Sequence, residues 1–351
     1  MDPRIVAVHT LLPGHAHTAA EAMAAYDRWV SGRPRPFREK AHRIFEAAAI
    51  DEKHTVAPAD VIFSRRTLEE SNRLYAEKAV ELGERLLRET LEKAGWAPEE
   101  LDLLITTSCT GHMIPSLDAH LVNRLGLRSD VRRMPVTQIG CAGGAAGMIY
   151  AHDFLRAYPG RRAALLSVEF PSNTIQLDNF SWDNIIGTAI FGDGLGCVLM
   201  GDGPASAPVV RDAEMRQVPD STDILGYRLT DTGFLMNLDR SVPRVIEEHF
   251  DGIVEPFLRR NGTDLAGLAQ VLVHPGGVRI LDKLEAILAP RGQRLDLSRA
   301  VMKRHGNMSS GTIHFILESY MRNPVRPGRV LVMSYGPGFT AHQLLLEWET
   351  P

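Results

Sequence analysis

Apolar positions recur at helical spacing in residues 19–29 and 37–49, and the same period runs through 68–95, where Gly95 ends it. The first hundred residues are therefore expected to be largely helical. Beyond them the pattern changes. Residues 101–111 (LDLLITTSCTG) form a short unbroken apolar run that ends in small polar residues and glycine, as a buried strand feeding a loop does. Residues 161–170, 268–277 and 328–338 are further runs of this kind.

The separations between these runs match. Leu103 to Ala164 is 164 − 103 = 61 positions, and Val271 to Val330 is 330 − 271 = 59. In the first interval Cys141 follows an apolar run 38 positions after Leu103, and in the second Asn307 sits 36 after Val271. Two matched strand–helix–site–helix–strand units predict a duplicated α/β architecture, although no side-chain repeat is visible. The Gly-, Pro- and Ala-rich stretch 201–212 is the expected joint. It divides the chain into halves 1–203 and 204–351 within one compact body.

Composition narrows the function classes. The 351 residues are 44% hydrophobic and 23% charged, with 39 basic against 43 acidic side chains and a net charge of −4. That is an ordinary globular balance with ample core material. No basic block offers a nucleic-acid or anionic-membrane surface. No run approaches the length of a membrane span, and the N-terminus lacks the pattern of a signal peptide. The odd set Cys109, Cys141 and Cys197 cannot form a disulfide framework, so the chain reads as reduced and cytoplasmic.

Cys141 lies in Gln-Ile-Gly-Cys-Ala-Gly-Gly-Ala-Ala-Gly, a strand-like approach followed by the small residues of a tightly packed helix start. Unpaired backbone N–H groups at such a terminus favour thiolate. A nucleophile and a close-packed core cysteine both fit the local sequence. His274 precedes Pro-Gly-Gly at the end of a strand run, and Asn307 in Gly-Asn-Met-Ser-Ser-Gly has capping as its ordinary alternative. Together the three supply a thiol, a base and an oxyanion donor, the set that acyl transfer needs. The glycines after Cys141 match neither a P-loop nor a dinucleotide fingerprint.

From about Lys40 onward, the Cys141 segment, His274-Pro-Gly-Gly, Gly-Asn307-Met-Ser-Ser, Phe191-Gly-Asp-Gly and Ser334-Tyr-Gly-Pro-Gly-Phe resemble the type III polyketide synthases, the chalcone-synthase-like enzymes of bacterial type. The resemblance implies a thiolase-like duplicated αβαβα layered fold. It implies iterative decarboxylative condensation of malonyl-CoA onto an acyl-CoA starter, followed by cyclisation. Cys141 would carry the acyl group as a thiolate held by His274, with His274 and Asn307 donating to the thioester oxygen. Cys109, Thr188, Phe191 and Met236 would shape the cavity, Lys40 and Arg43 would hold the coenzyme A phosphates, and a loop with Met113 and Ile114 would cross to a second subunit.

The sequence departs from the plant enzymes at several of these places. Met236 stands for a gatekeeper phenylalanine, Cys109 for a cavity threonine, Ala47 for a third phosphate-binding residue, and Ser334-Tyr335 alters the glycine box. A fatty acyl starter giving pyrones or resorcinols, and a malonyl-primed naphthalene- or phloroglucinol-type reaction, are both expected alternatives. A ketoacyl synthase acting on acyl carrier protein would carry Gln-Ala-Asn where Pro275-Gly276-Gly277 stands. A papain-like protease does not suit the duplicated frame, and a non-catalytic acyl-binding scaffold does not suit an intact triad. No cofactor beyond the CoA thioesters is expected, and no metal, because His15 and His17 stand as a pair without partner ligands. The expected assembly is a homodimer, with neither nucleic acid nor membrane as a partner.

Overall fold

The structure is a computed structural model and describes residues 2–323 and 327–348, so positions 1 and 351, the outer bounds of the two expected halves, lie outside it. Nine strands form one mixed sheet in the order Gln270–Val273, Gly328–Gly336, Thr340–Trp348, Val209–Gln217, Arg4–Leu11, Gly194–Gly201, Ala163–Glu169, Leu103–Thr107, Arg132–Val136. The pairing repeats about its middle. Leu103–Thr107 runs parallel to Ala163–Glu169, and Gln270–Val273 parallel to Gly328–Gly336. Each pair then continues through two antiparallel neighbours, and the two sets meet where Arg4 faces Val209. The registers carry the same offset, with Leu103 opposite Ala163 and Gln270 opposite Val330.

Burial defines the layers. Helices Gly143–Ala157 and Thr312–Arg322 share one core with strands of both halves, through Met148, Ile149, Ile313, Ile316, Val198 and Val332. They are the shared middle layer. A second core under helix Leu68–Ala94 holds Leu86, Leu91 and Leu104, and a third under Val242–Arg260 and Val278–Leu288 holds Phe250, Phe257 and Leu281. Helix, sheet, helix, sheet, helix is the layered arrangement that the resemblance implies. The central helices touch so closely that a Cβ on Gly144 would lie 2.3 Å from the Ser310 carbonyl oxygen. That contact is the physical reason for the small residues after Cys141.

Several elements differ from expectation. The helices run Ala19–Val30, Arg35–Ala48 and Leu68–Ala94, the last opened by a Thr67/Glu70 capping box and closed by Gly95 at φ 67°. The N-terminal region is not only helical, because Arg4–Leu11 is a strand at the middle of the sheet. Val209–Gln217 begins inside the presumed joint, which leaves 202–208 as the connection. The strand before Cys141 is Arg132–Val136, an exposed edge strand, and residues 137–139 are irregular. Strands Leu225–Thr230 and Gly233–Leu238 form a separate hairpin. Among the described residues no helix is long and apolar enough to cross a membrane.

Candidate active site

The parallel strands end on one side of the sheet, and their following loops converge there. Cys109 follows Leu103–Thr107, His274 follows Gln270–Val273, and Cys141 lies in the short turn Gly140–Ala142 before its helix. Asn307 follows helix Asp296–His305 and precedes the turn Ser309–Gly311. Cys109, Cys141, His274 and Asn307 line one apolar cavity, together with Phe191, Tyr227, Met236, Tyr335 and Pro337. Gly140 is required at its edge: its φ is 57°, and a Cβ would meet Pro337 Cδ at 2.8 Å.

Asn307 is fixed from several sides. Its backbone forms a bridge with Phe191, its N–H donating to the Ile190 carbonyl at 2.9 Å and its carbonyl accepting from Gly192 at 3.0 Å. Its Nδ2 donates to the Gly276 carbonyl at 3.0 Å, and its Oδ1 accepts from the Ser309 amide at 2.8 Å. The other amide hydrogen is turned towards the Cys141 thiol. The backbone of His274 is tied to Met333 by a 2.8 Å bond, while neither of its ring nitrogens has a partner among the described residues. Buried polar atoms rarely stay unpaired, and these two belong to a residue on the cavity wall.

Burial governs the charges. It pushes the Cys141 thiol up to about 12, against hydrogen bonds from Ser309 and Asn307 that favour thiolate. It pushes His274 down to about 3. Burial thus disfavours charge on both groups and works against the expected thiolate held by His274, while Ser309 and Asn307 work for it. Beside them lies Glu169, fully buried, its carboxylate accepting from Ser310 Oγ at 2.5 Å, Thr110 Oγ1 at 3.0 Å and the Cys109 amide at 3.1 Å. Cys109 Sγ is 3.3 Å from Ser309 Oγ, and burial raises its pKa too, with Glu169 adding to the effect. Sequence reasoning missed Glu169 and Ser309; the visible signal was a lone acid ending the apolar run 161–170.

The chain matches the family models "Chalcone and stilbene synthases, N-terminal domain" over residues 4–204 and "Chalcone and stilbene synthases, C-terminal domain" over 210–348. It belongs to the chalcone and stilbene synthase family. Similar curated proteins are 1,3,6,8-tetrahydroxynaphthalene synthase of Streptomyces peucetius subsp. caesius, 33% identical over 98% of this chain and 93% of that one, and phloroglucinol synthase of Pseudomonas fluorescens, 30% identical over 97% of each. Among solved structures, 1,3,6,8-tetrahydroxynaphthalene synthase from Streptomyces coelicolor A3(2), a bacterial type III polyketide synthase, superposes with a TM-score of 0.93 at 29% identity, covering 99% of this chain and 100% of that one. This chalcone-synthase-family chain is a type III polyketide synthase, an acyltransferase.

Not every expected residue of this synthase joins the cysteine cavity. Phe191, Tyr227 and Met236 line it and also line a second cavity beyond, with Ala22, Ala25, Phe45, Ile62 and Phe63. The three side chains are the wall between the two. Thr188 borders only the second cavity, its hydroxyl donating to the Asn184 carbonyl at 2.8 Å. Lys40 and Arg43 are not a matched pair: the Lys40 ammonium sits 3.7 Å from the centroid of Trp182, while Arg43 borders a surface depression with Arg35, Arg38, His42 and two acids. Met113 packs against the inner core, and Ile114 is 87% exposed. Tyr335 is buried on the cavity wall with its hydroxyl unpartnered among the described residues. Cys197 is fully buried in its strand.

Proposed function

We propose that this type III polyketide synthase loads an acyl group from coenzyme A onto Cys141 and extends it with malonyl-CoA. The observation that carries the reading is the convergence of the Cys141 thiol, the unpaired His274 ring nitrogens and the Asn307 amide beside the thiol on one cavity. His274 takes the thiol proton as Sγ attacks the thioester carbon, and returns it to the departing coenzyme A sulfur. With malonyl-CoA bound, His274 and Asn307 donate to the thioester oxygen, carbon dioxide leaves, and its bonding pair becomes the enolate. The enolate carbon attacks the acyl carbon on Cys141 and releases Sγ. A single preorganised donor of this kind contributes about 3–4 kcal/mol to the barrier. No cofactor enters the scheme.

The apolar second cavity behind Phe191, Tyr227 and Met236 supports a fatty acyl starter, whose tail would enter it, with a pyrone or resorcinol as product. A malonyl-primed reaction is the second reading. It is supported by the likeness to tetrahydroxynaphthalene and phloroglucinol synthases and by Cys109 beside Ser309 in the cysteine cavity. Product masses from malonyl-CoA alone and from malonyl-CoA with each of a series of acyl-CoAs decide between them. Cys141→Ala should abolish condensation and the acyl adduct in intact-protein mass; turnover with an adduct moved to Cys109 sinks the assignment. The exposed Ile114 and the open edge strand Arg132–Val136 support a homodimer. Light scattering that gives the single-chain mass of 38.8 kDa at micromolar concentration refutes it.

A further inference from the structure

We propose that Glu52, His54 and His305, outside the cysteine cavity, bind one divalent transition-metal cation of the zinc type. Glu52 and His54 are two apart on strand Glu52–Thr55, hence on one face of it. His305 ends helix Asp296–His305 in the other half of the molecule. The backbone holds the pieces together: the Asp51 amide donates to the Lys303 carbonyl at 2.7 Å, and the Asp193 amide to the His54 carbonyl at 2.9 Å. Each of the three side chains offers a ligand atom, and all three atoms lie within 4.8 Å of one another. Ligands of a tetrahedral zinc ion stand about 3.4 Å apart, so small side-chain rotations close the site.

The hydrogen bonds of His54 point to a cation. Its Nδ1 is 2.8 Å from the Pro13 carbonyl oxygen, which accepts only, so Nδ1 carries the hydrogen. Its Nε2 is 2.8 Å from Glu52 Oε1. A lone pair facing a carboxylate is repulsive, so a proton or a metal ion belongs between them. A histidine that donates through one nitrogen to a carbonyl is also how metal ligands are commonly oriented. His305 adds the third donor: its Nδ1 is buried without a partner among the described residues. Glu52, with a side chain 42% exposed, leaves the fourth position open to water. His305 is two residues from Asn307, so the ion would tie the loop carrying Asn307 to the N-terminal half.

The test uses full-length protein stripped of metal by chelation. Zn²⁺ is titrated in competition with a chromophoric chelator, and Co²⁺ is followed by its visible absorption. The expected result is one ion per chain, strong visible Co²⁺ bands, and affinity at least about tenfold weaker in Glu52→Gln, His54→Ala and His305→Ala. Zn²⁺ should raise the melting temperature of the wild type but not of His305→Ala. Among the described residues the His305 Nδ1 has no partner to lose, which keeps that variant informative if His54→Ala misfolds, and His15→Ala should bind as the wild type does. No saturable binding below about 100 µM, or His305→Ala binding weakened by less than about tenfold, overturns the proposal.

Discussion

Met236→Phe tests whether the second cavity receives the starter. Met236 faces Tyr227 across the hairpin Leu225–Leu238 and, with Phe191, separates the two cavities. Its side chain runs against Gly187: a Cβ there would lie 2.8 Å from Met236 Cε. Methionine fills such a place with a flexible thioether that an alkyl chain can displace, whereas a phenyl ring cannot fold aside. Each buried methylene of a starter contributes about 0.8 kcal/mol. Three methylenes past the wall amount to about 2.4 kcal/mol, or about sixtyfold in kcat/KM. The assay compares kcat/KM for hexanoyl- and dodecanoyl-CoA, with malonyl-CoA held saturating, in wild type and Met236→Phe. The long-to-short ratio should fall by about sixtyfold in the variant, while product from malonyl-CoA alone is spared. Gly187→Ala, which pushes only the thioether end, should fall between. A wild type that makes product from malonyl-CoA alone and ignores every fatty acyl-CoA refutes the reasoning, and so does an unchanged ratio in Met236→Phe.

Other consequences can be read from the same coordinates. Asn307→Ala should lose malonyl-CoA decarboxylation by about a hundredfold or more, while Cys141→Ala retains it, because the enolate needs donors and not the thiolate; equal loss in both variants contradicts this. The stability that His314 and His342 contribute should be lost as pH falls from 6.5 towards 4, since both are buried neutral with pKa values lowered to about 3 and about 4, while Asp193, raised by burial to about 7, acts in the opposite direction. Their unfolded forms bind the proton first, so the stabilisation present above pH 6.5 is lost on acidification, by about 3 kcal/mol at pH 4 for fully buried His314. His314→Gln should flatten that slope in urea titrations at pH 7 and pH 4.5. Gly144→Ala should destabilise by roughly 2–4 kcal/mol or prevent folding, because its Cβ meets the Ser310 carbonyl rather than a movable side chain. Unchanged melting in Gly144→Ala refutes the close approach.

Much of the fold was legible because its buried strands carry apolar runs that end in glycine, and because the two parallel pairs share one register offset. Two of the strands that were missed have neighbours far along the chain. Arg4–Leu11 pairs with Gly194–Gly201, and Val209–Gln217 with Thr340–Trp348, and no local pattern announces either. Cys141, His274 and Asn307 were legible through the motifs around them. Thr188 lies one turn before Phe191 on Trp182–Ile190 and lines the second cavity with it, whereas only Phe191 reaches the cysteine cavity as well. Lys40 and Arg43 were read as one phosphate face, yet Trp182 on a neighbouring helix takes up the ammonium. The trio Glu52, His54 and His305 spans the two halves, and pairing across that distance is a tertiary fact that no spacing rule contains.

The duplicated architecture itself explains why the reacting groups stand where they do. Each half sends a short turn onto the start of a central helix, Gly140–Ala142 before Gly143 and Ser309–Gly311 before Thr312. Packing those helices against each other brings Cys141 from one half beside Asn307 and Ser309 from the other. It also buries polar atoms between the halves, and these must be satisfied. A continuous chain does so: Ser310 Oγ donates to Glu169, Thr107 Oγ1 lies 3.3 Å from Ser310 Oγ and 2.7 Å from Ser167 Oγ, and Ser167 reaches His314 Nε2 at 2.8 Å. It crosses between the halves three times, at Glu169–Ser310, Ser310–Thr107 and Ser167–His314. The network therefore fixes the two halves relative to each other at the place where Cys141 of one meets Asn307 and Ser309 of the other. The unpartnered polar atoms of His274 and Tyr335 lie instead in residues that line the cysteine cavity, beside Asn307. Hydrogen-bonding capacity is thus left at that wall, the place to which the proposed reaction assigns its substrate.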